Sequence, residues 1–408
     1  MDFFIYNRIM CDSELIATEQ YITSGAKKLR CGITTGSCAA IASMAATEAI
    51  LTQKFPEYGK ITTPKGWVAK AEILDAKITG HLTASCAVQK DAGDDPDATD
   101  GILVYASVRL EASSEANGSV CVDVQGGEGI GVVTKPGLDQ PVGNAAINSV
   151  PRIMIAEAVE KSCRSHSFSG KAFVVISAPA GEKIAANTFN PILGIKGGIS
   201  VLGTSGVVEP MSESALVEAM EVEIKVIAES LREKSIRPVI VTPGNYGSDF
   251  IKKYPELADI PEIKCSNFIG AAIDFAVLYG FTHVLFIGHA GKFVKVAGGI
   301  MNTHSHVADC RVELIASHAA LCGAEQFDIA RIFDCATVDA ALSILDETGI
   351  RDVVIKSLVK AAQRKISQRI HGAFKFGFLM FSNEYGILGK NREFDEIVRQ
   401  ITVADSSL

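Results

Sequence analysis

The sequence predicts an α+β half followed by a Rossmann-like, doubly wound parallel sheet, and three observations carry that prediction. From Gly66 to about Val124 the runs WVAKAEIL, HLTASCAVQ, ILVYASVRL and VCVDV are rich in β-branched residues and partly alternate, as half-buried strands do. From about residue 195 short apolar runs alternate with helical periodicities, the order of a parallel sheet with helices between its strands. Three of those runs end in glycine-rich turns: Gly203-Thr204-Ser205-Gly206, Thr242-Pro243-Gly244-Asn245-Tyr246-Gly247 and Gly288-His289-Ala290-Gly291-Lys292. Ligands of open α/β sheets bind outside the carboxyl ends of the strands, so the three turns are expected to line one crevice. A chain of 408 residues exceeds one ordinary core, and we divide it into an extension over 1–28, an α+β domain over 29–194 and the Rossmann-like domain over 195–400.

Composition narrows the class. With 48% apolar and 21% charged residues and no low-complexity tract, the chain is expected to fold rather than to be disordered. Runs such as HVLFIG fall far short of the roughly 20 apolar residues of a membrane span, so none is expected. The first residues carry Asp12 and Glu14 and no sustained apolar region, which reads as no signal peptide and a cytoplasmic location. Ten cysteines without a C-x-x-C pair or regular spacing argue against a zinc ribbon or a disulfide scaffold, and most are expected to be buried small residues. A net charge of −8 disfavours nucleic acid as a partner, so an anionic small substrate needs a local basic cleft. Homo-oligomerisation stays open on the sequence alone.

Taken in order, the first strong signal is Thr34-Thr35-Gly36-Ser37 ahead of a helix whose Cys38, Ile41, Ala42, Ala45 and Ala49 form a narrow face. Hydroxyls and free N–H groups at a helix start suit either an anion or an ordinary cap. The acidic loop from Lys90 to Asp100 lacks EF-hand spacing; it reads as a solvated turn or as a loop that points carboxylates such as Asp94 and Asp97 at a substrate. Between Gly126 and Ile155 the glycines lack the dinucleotide spacing, so the segment reads as a loop whose Lys135 and Arg152 either bind carboxylates or simply face water. A helix of about fifteen residues ending near Ser165 and a strand, AFVVISA, close this half.

In the second half Ile199, Val201 and Leu202 read as a buried parallel strand, and Pro210 opens a helix with Leu216, Met220, Ile224, Ile227 and Leu231 on one face. Further strands are expected at 238–242, 263–265, 282–288 and 376–381. A helix through His306 to Glu313 places His306, Asp309 and Glu313 on one face and His304 and Arg311 on the opposite one, so no metal site is expected. A nucleophile elbow is excluded because position 207 is Val, and the missing G-x-G-x-x-G argues against a nicotinamide-dependent reductase.

Long, ordered motifs then point to a family. They are Gly32-Ile33-Thr34-Thr35-Gly36-Ser37-Cys38-Ala39-Ala40, KDAGDDPDATDG, VTKPGLDQPVGNAAINSVPR, FNPILGIKGGISVLGTSGVVEPMS, GNYG and IGHAGKFVKVAGGIMNTHS followed by Ala308-Asp309. Together they resemble the CbiD family, the cobalt-precorrin-5B C(1)-methyltransferases of the anaerobic cobalamin pathway. The resemblance implies an α+β and a Rossmann-like domain and a methyl transfer from S-adenosylmethionine to C(1) of a cobalt-containing corrinoid. With it, Gly203, Thr204, Ser205, Gly206, Glu209, Gly244, Asn245 and Gly247 become candidates for the cofactor, although Glu209 would equally suit a helix N-terminus. Thr34, Thr35, Ser37, Lys135, Arg152, Lys196, Lys292 and Lys295 become candidates for the substrate, whose acetate and propionate groups need cations. His289 and His304, with Asp94, are the candidates for a proton-transfer or ring-facing role.

Overall fold

Residues 20–113 and 119–405 are described by the computed structural model, and they build a mixed α/β protein with parallel and antiparallel sheets. The expected extension falls outside the described residues up to position 19; beyond it the chain forms a hairpin of β1 (Tyr21–Ser24) and β2 (Lys27–Arg30). The chain divides into two compact units between Ser212 and Glu213, so the segment 195–212 belongs with the first half and not with the second. No helix among the described residues is long and apolar enough to cross a membrane.

In the first unit β3 (Gly32–Ile33) runs into α1 (Thr35–Thr52), whose cap is Thr34: its backbone is extended and its hydroxyl accepts from the Ser37 N–H at 3.2 Å. Because α1 is rich in small residues, Ala above all, it packs closely and is buried nearly all round rather than along one narrow face. A Cβ on Gly36 would lie 2.9 Å from the Pro151 ring, which shows how closely α1 approaches α2 (Ser149–Ser165). Both helices share one core with a five-stranded sheet ordered β6 (Leu74–Gly80), β7 (Thr83–Gln89), β8 (Leu103–Ala112), β11 (Gly170–Ser177), β9 (Val120–Gly126). Only β11 and β9 run parallel. A hairpin of β4 (Tyr58–Thr62) and β5 (Val68–Glu72) lies beside α1. The loop expected over 126–155 carries β10 (Val132–Val133), which pairs with β12 (Ile195–Lys196) after the short α3 (Gly181–Ala185) and α4 (Asn190–Leu193).

The expected parallel strand at 199–203 does not form. Ile199 and Val201 make single bridges to Ile130 and Ile147, loop residues of the first unit, and are fully buried there. The chain then turns, and β13 (Val207–Val208) pairs antiparallel with β3. Pro210 opens no helix either, since Met211 is left-handed at φ 58° and α5 (Glu213–Ser230) starts after it; Met220, Ile224 and Leu231 are buried as expected, whereas Leu216 is exposed.

The second unit is built on a sheet ordered β15 (Glu262–Lys264), β14 (Pro238–Thr242), β16 (His283–His289), β17 (Lys375–Ser382), β18 (Gly386–Lys390). The first four strands are parallel and β18 is an antiparallel edge. Val239 and Val241 enter one core with α5, α7 (Ile269–Leu278), α8 (Ala290–Ala297) and α12 (Arg351–Ile370), while Ile240 enters another with α6 (Asn245–Ile251) and α13 (Phe394–Asp405). Both faces are thus covered, which is why β14 reads as an unbroken apolar run, PVIVT, and not as an alternating one. Between β16 and β17 the chain inserts α8, α9 (Arg311–Leu321), α10 (Gln326–Phe333), α11 (Val338–Glu347) and α12.

Candidate functional site

From β14 the chain moves outward to β15 and then returns to the other side of β14 for β16, so strand order reverses between β14 and β16. The helix after β14, α6, packs on one face and the helix after β16, α8, on the other, and a crevice is left between the carboxyl ends of the two strands. It holds a cavity of about 500 Å³ lined by residues from the ends of both strands and from the segment 303–311.

His289, the last residue of β16, caps α8: its Nδ1 accepts from the Gly291 N–H at 3.1 Å. A nitrogen that accepts carries no proton, so the ring is neutral and Nε2–H is its remaining donor. Burial also holds the His289 pKa below the usual histidine range. The ring stands edge-on to Phe381, at 5.7 Å, and 5.6 Å from the ring of Tyr246. His304 is fixed in the same tautomer, because its Nδ1 accepts from the His306 N–H at 3.2 Å. Both histidines line the cavity, with Nε2–H as the donor left over from these contacts.

Two lysines of α8 line the same space. Lys292 Nζ donates to the carbonyls of Pro243, at 2.7 Å, and Ser266, at 3.1 Å, tying the loops after β14 and β15 together. Lys295 is 1% exposed; it donates to Thr303 O at 3.1 Å and lies 3.7 Å from Asp309. Burial lowers the pKa of both ammonium groups. Arg311 also lines the cavity and holds Asp309 with two nitrogens, so one exposed carboxylate is shared by Arg311 and Lys295. Among the described residues no carboxylate lines the cavity itself. The space is walled by donors and cations, which suits a ligand bearing several carboxylates.

Of the residues expected at a site, the structure brings His289, His304, Lys292, Lys295 and Gly247 to this crevice. Gly244 immediately precedes α6 and Asn245 opens it, with Asn245 Oδ1 accepting from Lys264. Gly247 is small for a packing reason, since a Cβ there would lie 2.6 Å from that of Thr242. Two of the three expected glycine turns follow strands of the second sheet; the turn 203–206 belongs to the first unit and follows no sheet strand. Gly203, at φ 127°, and Gly206, at φ 76°, have Thr34, Thr63 and Ser37 where a Cβ would stand. Ser37 Oγ donates to Gly206 O at 2.6 Å, Thr35 Oγ1 accepts from the Leu202 N–H at 3.2 Å, and Ser205 Oγ donates to Val207 O at 2.9 Å, while Thr204 is exposed. The Ser37 and Thr35 hydroxyls hold the turn on the first turn of α1. Glu209 is no helix N-terminus: it pairs with Lys65.

The remaining candidates lie in the first unit. Asp94 accepts from the Arg30 N–H at 2.6 Å, and Lys90 holds Asp97 at 2.6 Å. Arg152 donates to Ile147 O at 2.8 Å and Val124 O at 2.6 Å, Lys135 donates to Ile192 O at 3.2 Å, and Lys196 is exposed on β12.

Arg311, Tyr246, Asn267, Thr303, Ser305 and His306 line the cavity without having been candidates from the sequence. The expected helix through 306–313 set Arg311 opposite His306, but α9 begins only at Arg311, after Cys310 at φ 49°, and the turn brings His304, His306 and Arg311 into one cavity. Among the described residues no group of three or more His, Cys, Asp or Glu side chains is placed to hold a metal ion.

A parallel sheet with a cationic crevice at its order reversal defines a small-molecule α/β protein. Comparison with known sequences narrows this. The CbiD family profile matches residues 22–210, and that of its C-terminal domain matches 302–392. A cobalt-precorrin-5B C(1)-methyltransferase of Thermoanaerobacter sp. is 43% identical over 92% of this chain and 99% of its own, and one of Ruminiclostridium cellulolyticum is 45% identical over 90% and 92%. The crystal structure of a cobalamin biosynthesis protein (cbiD) from Archaeoglobus fulgidus, 28% identical, superposes with a TM-score of 0.37 over 71% of this chain and 87% of that one. The chain belongs to the CbiD family.

Proposed function

We infer that the protein is a cobalt-precorrin-5B C(1)-methyltransferase of cobalamin biosynthesis, with S-adenosylmethionine as methyl donor and cobalt-precorrin-6A as product. It is a methyltransferase by family, and the observation that supports a corrinoid as the ligand of the second unit is the crevice wall: Lys292, Lys295 and Arg311 beside two imidazole N–H donors. A corrinoid presents acetate and propionate carboxylates around its rim, and such groups need cations and donors in a partly dry setting. When bound, the sulfonium supplies an electrophilic methyl group; the C(1) carbon of the macrocycle supplies the electron pair, and a thioether leaves. An in-line displacement needs alignment more than acid–base help, which agrees with histidines locked as donors.

In this reading Lys292, Lys295 and Arg311 neutralise substrate carboxylates, His289 and His304 donate through Nε2–H, and Tyr246 offers an aromatic surface at the mouth. Asp309 stands in for a ligand carboxylate until one arrives. On the same reading the second sheet is a doubly wound, Rossmann-like one, and the protein works in the cytoplasm on a small molecule, with neither nucleic acid nor membrane as partner. Incubation with cobalt-precorrin-5B and methyl-labelled S-adenosylmethionine should place label on the corrinoid; a competent substrate that stays unlabelled would end this proposal.

A further inference from the structure

The first unit contains a cavity of its own, of about 390 Å³, bounded by β3, β5 and β13. Its wall differs in kind from the crevice of the second unit. Trp67 is half-buried in it, and its chain is pinned by Thr63, whose N–H and hydroxyl donate to Trp67 O at 2.8 and 3.0 Å. Ile33, Leu74 and Val207 add apolar surface. The carboxylates Asp91 and Glu72 stand there with the cations Arg30 and Lys70, so both signs of charge are present. The Arg30 guanidinium grips Asp91 with two nitrogens, and that contact holds the carboxyl below its usual range.

A sulfonium nucleoside has three parts to satisfy: a flat purine, a positive sulfur and a zwitterionic amino-acid tail. The crevice of the second unit meets that sulfur with cations and no lining carboxylate, which repels it. In the first-unit cavity the purine finds apolar neighbours and the Trp67 ring, one face of which carries the Lys65 ammonium at 4.4 Å, the sulfur finds the Glu72 carboxylate, and the tail finds both signs. The volume is that of a small-molecule site. We propose that this cavity binds the sulfonium nucleoside that donates the methyl group, with its purine against Trp67. This assignment rests on the methyl-donor reading above.

Trp67 is the one tryptophan of the chain, so intrinsic tryptophan fluorescence reports on this cavity alone. The full-length protein is titrated with S-adenosylhomocysteine while equilibrium dialysis follows the same labelled compound. Emission should change and saturate at the concentration at which dialysis saturates. Replacing the stacking surface in Trp67→Ala should weaken dialysis binding about tenfold or more, and Trp67→Phe, which keeps an aromatic ring and the packing, should recover most of it. Binding in dialysis with silent emission, and with Trp67→Phe and Trp67→Ala both at native affinity, overturns the placement and leaves the methyl donor elsewhere. Failure of dialysis to detect either S-adenosylhomocysteine or S-adenosylmethionine at millimolar concentration removes the methyl-donor reading as well.

Discussion

Lys90 in the first unit and Lys295 in the second are equally hidden, at 2% and 1% exposure, and they are held in opposite ways. Lys90 meets the Asp97 carboxylate at 2.6 Å, and Thr99 steadies that carboxylate through its N–H and hydroxyl, both at 2.7 Å. Lys295 has a carbonyl at 3.1 Å and a carboxylate only at 3.7 Å, one that Arg311 also claims. A buried charge with a close, dedicated counterion fixes a loop. One left partly uncompensated beside a cavity is poised for an anion from outside.

Removing one member of a close buried pair has the largest expected consequence. Lys90→Met should lower unfolding free energy in urea by about 3 kcal/mol, because Asp97 keeps its charge and loses its partner. An unchanged urea midpoint would erase the contrast between the two lysines. Lys295→Met should leave that midpoint nearly where it is, since a methionine fills the same space without a charge to desolvate. Instead it should weaken binding of a polycarboxylate tetrapyrrole such as uroporphyrin by about 10- to 100-fold, the worth of one hydrogen bond to a charged group. Asp309→Asn sharpens the comparison from the other side: with its internal competitor neutralised, the crevice should bind the same tetrapyrrole up to about tenfold more tightly, as read by fluorescence titration.

The pH dependence carries a sign. Burial lowers the Lys295 and Lys292 pKa values from the ordinary 10.5, so between the lowered values and 10.5 the unfolded chain holds more protons than the folded one. Stability of the ligand-free protein should therefore rise with pH across that window, while tetrapyrrole binding falls as the ammonium groups discharge. Parallel slopes would contradict the assignment. The smallest effect concerns His289, whose pKa burial depresses below the ordinary 6.5 and whose Nδ1 caps α8. Its contribution is complete above pH 6.5 and is lost as pH falls through the depressed value. His289→Ala should remove about 1 kcal/mol and flatten that acid limb of the thermal stability profile.

Much of this architecture is written locally. The Thr34 cap, the five-residue run PVIVT and the strand that ends in His289 announce themselves through capping chemistry and continuous apolarity, and the structure places them where those signals point. Ile199 and Val201 show the limit. Apolarity says only that they are buried, and their partners, Ile130 and Ile147, lie in a loop more than fifty residues earlier, which no local pattern encodes. At the crevice, His289 and Lys292 were legible because they follow a strand end. Arg311 was not, because residues 306–310 are not helical and α9 begins only at Arg311, so the face assignment had no helix to rest on.

The pairing of β3 with β13 is reinforced by the Ser37 hydroxyl on Gly206, a bond between residues 169 positions apart. During synthesis, the first turn of α1 leaves the ribosome long before the segment that completes it. At about 5–20 residues per second that wait is roughly 10 to 30 s, during which a helix of small apolar residues has no finished slot. The first unit thus closes late, and the turn 203–206 is the segment whose arrival completes the wall around the first turn of α1.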